Sequence, residues 1–296
     1  EADSASTYVP SIDTFTSRAS NATYVDSAGL VKTAYKNNLL YSEDFLNNYW
    51  VKLEGTISSN VGIAPNGTLT ADKFIPNTSN TSNHFFYAQY SSSKALSIYA
   101  KADGLSHVSL IIQPAGTPSN VANSLAASVN LTDGSIQTTQ NNPEVEVINV
   151  GNGWYRIILK APTEVTSPQY IIIAPHDGST PDLNYFFRST YAGDGTVGVL
   201  LWGAMQTDSA TEVGDYAKTV ATATGGPRYS HDPETLTPTG LYLEPQGINY
   251  AKYLTSAYNA PSDLLNPSGG YGAFSRTSAL SLIHISSPRD SFRSRM

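Results

Sequence analysis

The stretch Val150-Gly-Asn-Gly-Trp-Tyr-Arg-Ile-Ile-Leu-Lys160 places the strongest single constraint on the fold. Gly151, Asn152 and Gly153 are residue types that accept the positive φ angles of a tight reversal, and the run after them is aromatic and β-branched. That combination specifies a β-hairpin. In the strand leaving it, Tyr155, Ile157 and Leu159 share one face, while Trp154, Arg156, Ile158 and Lys160 share the other. The first set suits a core. The second carries an aromatic and two cations, which fits either a solvated face or a ligand surface.

The same grammar recurs along the chain. Candidate strands fall at 55–63, 70–76, 84–90, 95–101, 107–113, 124–131, 145–150, 154–160, 169–174, 184–190 and 197–206. Turns such as Asn66-Gly67, Asp103-Gly104, Asp133-Gly134, Asp177-Gly178 and Gly193-Asp-Gly195 separate them. This spacing predicts an all-β chain whose residues 38–222 form an antiparallel β-sandwich of jelly-roll type. An extended arm at 1–37 precedes it, and a poorly regular C-terminal region follows. Alternation places Leu96, Ile98 and Ala100 inside with Ser97, Tyr99 and Lys101 outside. Likewise Val108, Leu110 and Ile112 point inward, opposite His107, Ser109, Ile111 and Gln113. The continuous apolar runs at 171–173 and 199–202 are expected at the centre of a sheet, buried on both sides. Residues 223–278 read as a linker or the start of a second module. The tail at 279–296 is more basic than the rest and begins like a translated sequencing-adapter tail of metagenomic reading frames; it is expected to add nothing to the fold.

Composition excludes several function classes. A hydrophobic share of 40% supports a real core, whereas only 14% charged residues and 19 Tyr against 9 Phe suit exposed sheet surfaces. A net charge of −7 with no basic cluster argues against nucleic acid as a partner. No apolar run is long enough to cross a membrane as a helix, so no membrane insertion is expected. The absence of cysteine removes disulfides, thiolate metal sites and a Cys nucleophile.

Residues 15–32, Asn38-Leu-Leu-Tyr-Ser-Glu-Asp-Phe45, Ala71-Asp-Lys-Phe74, Ser97-Ile-Tyr-Ala-Lys101, Gly153-Trp-Tyr-Arg156 and Leu201-Trp-Gly-Ala204, taken in order, form a pattern. It resembles a module of tailed-phage tail-fibre and head-spike proteins, which is itself similar to the jelly-roll carbohydrate-binding modules of polysaccharide-degrading enzymes. Pro227-Arg-Tyr-Ser-His-Asp-Pro233 and Gly240-Leu-Tyr-Leu-Glu-Pro-Gln246 resemble a linker motif of those phage proteins. Here the Pro-Arg-Tyr element follows the sandwich instead of sitting between the arm and Asn38. The resemblance implies a virion surface protein whose sandwich binds host-surface or environmental polysaccharide without catalysis, alongside other virion subunits and with a homotrimer among the expected assemblies. It also implies a structural calcium, for which Glu43, Asp44, Asp72 and Asp215 are the hard oxygen ligands near turns or strand ends; no other cofactor is required.

A sugar needs an aromatic surface against its C–H groups, flanked by hydrogen-bonding side chains. Tyr99, Lys101, His107, Gln113, Trp154 and Arg156 fit that need if they share an exposed sheet face. They also read as ordinary outward positions of a sandwich. Two alternatives stand beside glycan binding: a structural decoration or assembly module whose exposed aromatics meet other subunits, and a polysaccharide-cleaving enzyme. For the last, the carboxylates at 133, 144, 146, 177, 182 and 194 offer no motif that selects a pair. His176-Asp177, at the end of an apolar strand, is the least dismissible catalytic candidate.

Overall fold

A computed structural model describes residues 22–25, 27–114, 123–183, 187–209, 213–225 and 229–241. Most of the 223–278 region and all of the 279–296 tail lie outside the described residues. The chain is all-β, with no α-helix among those residues. The sandwich comprises β4 (Val51–Leu53), β5 (Gly55–Ile63), β6 (Leu69–Pro76), β8 (Phe85–Asp103), β9 (His107–Pro114), β10 (Leu125–Asn130), β11 (Ile136–Gln140), β12 (Glu144–Gly151), β13 (Trp154–His176) and β15 (Gly198–Thr207). Around it lie β1 (Ala22–Val25), β2 (Val31–Ala34), β3 (Lys36–Asn37), β7 (Asn80–Thr81), β14 (Tyr191–Ala192), β16 (Thr224–Gly225), β17 (Tyr229–His231) and β18 (Pro238–Leu241).

All ten sandwich strands belong to one continuous antiparallel sheet. A strand has only two edges, yet β13 pairs with β12, β8 and β9. It does so by passing through both layers: residues 154–160 lie between β12 and β8, and residues 169–176 between β8 and β9. Strand β8 does the same, pairing β15 near its end and β4 near its start. The ladder between β8 and β13 slips at 160–165 and 166–169, where the sheet turns over on itself. One layer is therefore β12, β13, β8, β15, β6 and β5, and the other is β11, β10, β9, β13, β8 and β4. The strands forecast at 84–90 with 95–101, and at 154–160 with 169–174, are each a single long strand that changes layer.

The core lies between the layers and follows the alternation. Leu96, Ile98, Ala100, Ile157 and Leu159 from the first layer meet Val108, Leu110, Ile112, Ile171 and Ile173 from the second in one buried cluster. The hairpin at 150–154 forms as expected, with φ of 88°, 53° and 78° at Gly151, Asn152 and Gly153. Phe45 and Trp50 lie in the turns before β4 rather than on a strand, and close one end of the core against Phe86 at ring distances of 5.3 and 5.6 Å. The segment forecast as a strand at 184–190 contributes only an isolated bridge between Asp182 and Arg188 among its described residues.

Residues flanking 38–222 pair with each other. Strand β3 pairs with β16, and fully buried Asn37 donates to the carbonyls of Ala204 and Ala217 while accepting from the amides of Leu39 and Gln206. The β1–β2 hairpin meets β17, where the Val25 amide donates to Ser230 Oγ at 3.2 Å.

Candidate functional site

The outer face of the first layer carries four of the six forecast ligand residues. Pairing sets Arg156 opposite Tyr99 and Tyr99 opposite Trp202, and places the Arg156 guanidinium 5.5 Å from the Tyr99 ring centre. Tyr216 closes an aromatic triad, 4.7 Å from Trp202 and 6.1 Å from Tyr99. Much of this face is buried by the chain itself. Trp154 is 2% exposed and donates Nε1–H to the Ile63 carbonyl, and Trp202 donates to Thr70 Oγ1. Arg156 donates to the Gly214 carbonyl at 2.8 Å, and buried Lys160 pairs with Glu144 at 2.8 Å. The end of the β5–β6 hairpin and the 213–217 segment thus cover the face, so Trp154 offers no ring to a ligand. Tyr99 and Lys101 stay half-buried.

His107 and Gln113 sit on the other layer. Along its outer face, Tyr170 is directly opposite both Gln89 on β8 and Gln113 on β9. In the next row Ile172 lies opposite Tyr87 and Ile111. Tyr87 and Tyr170 are half-buried, and their rings meet edge to face at 5.3 Å and 87°. They rest on buried Ile111, Ile172 and Phe187, so the phenols are held by an apolar floor. Gln89 is exposed and Gln113 half-buried. The six residues forecast as one surface therefore divide between two faces, and the half-buried Tyr87–Tyr170 ring pair was missed. The signal was present in His84-Phe-Phe-Tyr-Ala-Gln-Tyr90, where period two sets Tyr87 and Gln89 opposite the core residues Phe86 and Ala88.

No family model matches this chain. No curated protein matches it either. What the Tyr87–Tyr170 face can do follows from its chemistry. A phenol ring presents a flat, weakly negative surface that suits sugar C–H groups, and a carboxamide both donates to and accepts from neighbouring hydroxyls.

The histidines at the end of the same layer form an internal network. The His107 and His176 rings lie 5.2 Å apart. His176 is 1% exposed; its Nδ1 accepts from the Gly178 amide, which leaves the proton on Nε2, 2.9 Å from Ser128 Oγ. Ser128 in turn donates to Gln137 Oε1, and Gln137 Nε2 donates to the Gly178 carbonyl, closing the ring. Burial pushes His176 down to about 3, with His107 adding to the effect. Burial also lowers His107, against the opposing pull of Asp133 and Asp177. The His176-Asp177 pair singled out in the sequence is thus a strand-end clamp: Asp177 accepts from Ser179 rather than orienting the imidazole.

The four forecast calcium ligands each serve a donor of the protein itself. Fully buried Asp72 accepts from the Phe45 amide through Oδ2 and the Asn60 amide through Oδ1, both at 2.9 Å. Burial raises its pKa, the two amides oppose that, and Asp44 and Glu43 raise it further. Glu43 accepts from Lys218 and Tyr216, Asp44 from the Asn47 amide, and Asp215 from Tyr24. Among the described residues no group of three or more His, Cys, Asp or Glu is placed to hold a metal ion. Each of the four is thus already engaged by a donor of the protein itself.

Proposed function

We propose that the sandwich is a non-catalytic glycan-binding module of a tailed-phage virion surface protein, acting on host-surface or environmental polysaccharide. The observation that carries this reading is the half-buried Tyr87–Tyr170 pair flanked by exposed Gln89 and half-buried Gln113 on the outer face of the second layer. The virion setting is supported by the ordered motifs between residues 15 and 246 that resemble phage spike and fibre modules. A shallow face of this kind binds weakly, at about the millimolar level, and many copies on one particle supply the avidity. A glycan array probed with multimerised protein tests the reading. Binding that falls at least about tenfold in Tyr87→Ala and Tyr170→Ala, with thermal stability retained, supports it. An array without signal, or variants that bind as well as the parent, removes it. Reducing-end release from a polysaccharide panel would replace the non-catalytic reading.

A second reading has an observation of its own. Val61, Ile63 and Leu69 are 51%, 58% and 58% exposed on the β5–β6 hairpin, with Ile63 paired to Leu69. Neighbouring apolar side chains left in water favour a subunit contact. Under that reading the protein sediments as a homotrimer and Ile63→Asp with Leu69→Asp reduces it to monomer; a parent that sediments as a monomer sinks it.

A further inference from the structure

The Tyr87–Tyr170 face, on the reading just given, also specifies a class of glycan. We infer that it selects a neutral polysaccharide over a polyanion and contacts it across strands β8, β13 and β9 over about the length of a disaccharide. The contact length comes from the row Gln89, Tyr170, Gln113, in which each residue is the direct cross-strand partner of the next. Two strand spacings make that row about 10 Å long, with an amide at each end and an aromatic ring between them. Each amide offers donors and acceptors without charge, which matches vicinal hydroxyls and does nothing to offset the desolvation of a carboxylate or sulfate.

The electrostatics point the same way. Recognition of carboxylates and sulfates relies on Arg or Lys aimed at the anion. Among the described residues, neither the row through Tyr170 nor the row through Tyr87 holds a Lys or Arg. Arg188 lies 4.3 Å over Phe85, whose ring is 6.1 Å from that of Tyr87. It is 7% exposed and turned to Phe85 and Asn83, so it is not presented to a ligand. Lys52 on β4 spends its ammonium on the carbonyls of Leu46, Asn47 and Trp50. A net charge of −7 adds a general repulsion of polyanions.

The test uses the full chain displayed on a tetrameric scaffold, with biolayer interferometry against neutral polymers (β-glucan, xyloglucan, mannan, dextran) and polyanions (alginate, hyaluronan, dextran sulfate). Each is measured at about 50 and about 500 mM NaCl, a range over which exposed charge interactions are largely screened. The expected result is binding to at least one neutral polymer that changes by less than about twofold with salt. Gln113→Ala and Gln89→Ala should each weaken it by about three- to tenfold. Binding confined to polyanions, lost at high salt and lost in Tyr170→Ala, overturns the neutral class while leaving the site in place. Binding that Tyr87→Ala and Tyr170→Ala do not change, or no binding to any polymer, overturns the site and this inference with it.

Discussion

His176 states most directly how burial governs chemistry in this chain. The folded protein holds it neutral down to about pH 3, whereas the unfolded chain protonates it near its ordinary value of 6.5. Between those values the unfolded state binds more protons, so stability falls as pH falls through that window and is fully present above it. Lowering pH from 7.5 to 5 should remove about 2 kcal/mol through this residue alone. Asp72 acts with the opposite sign: its raised pKa means that the folded state holds the proton longer on raising pH, so its contribution declines as pH rises above the ordinary carboxylate value of 3.8. Urea unfolding of the parent and of His176→Gln at both pH values checks the assignment, since the variant should lose less on acidification. An equal loss in both would show that the pH response lies elsewhere. Trp154 belongs to the same scale. Its ring is core to the outer face of the first layer, so Trp154→Ala should cost about 3–5 kcal/mol of unfolding free energy; a chemical melt within about 1 kcal/mol of the parent would contradict the burial.

Turns and strand crossings set the element scale. At Gly198, where β15 begins, a Cβ would overlap the carbonyl oxygen of Phe74, so Gly198→Ala forces β6 and β15 apart. At Gly151 the space is open and only the φ of 88° resists a side chain. Gly151→Ala should therefore cost about 1 kcal/mol and Gly198→Ala several times more, measured by the same melts. Most strands were readable from their apolar patterning and the turns between them: β5, β6, β9, β12 and β15 fall within two residues of the forecast, and the inward faces of 96–100 and 155–159 are as alternation required. Strand β11, Ile136-Gln-Thr-Thr-Gln140, escaped because it is an edge with one apolar residue. The layer change within β8 and β13 escaped because a bend leaves no mark on period two. Trp154, Arg156 and Lys160 were misjudged for a related reason. Alternation separates two faces of a strand, but it cannot show that the β5–β6 hairpin and residues 213–217 fold over the second one.

At the scale of the whole molecule, one bent sheet has two outer faces with unequal fates. The first buries Trp154 and Trp202 and leaves Tyr99 and Lys101 half-buried, while the second leaves Tyr87 and Tyr170 half-buried with Gln89 exposed beside them. The carboxylates near the first are already engaged by protein donors, so EDTA should leave the melting temperature unchanged and added calcium should raise it by no more than about 1 °C. A calcium-dependent rise of several degrees would show a site this arrangement does not contain. The most direct test of the central claim is the binding of multimerised protein to immobilised polysaccharide, parent against a Tyr87→Ala, Tyr170→Ala double variant of equal thermal stability. A signal for the parent that disappears in the double variant is the predicted result. An undiminished signal in the double variant would contradict it.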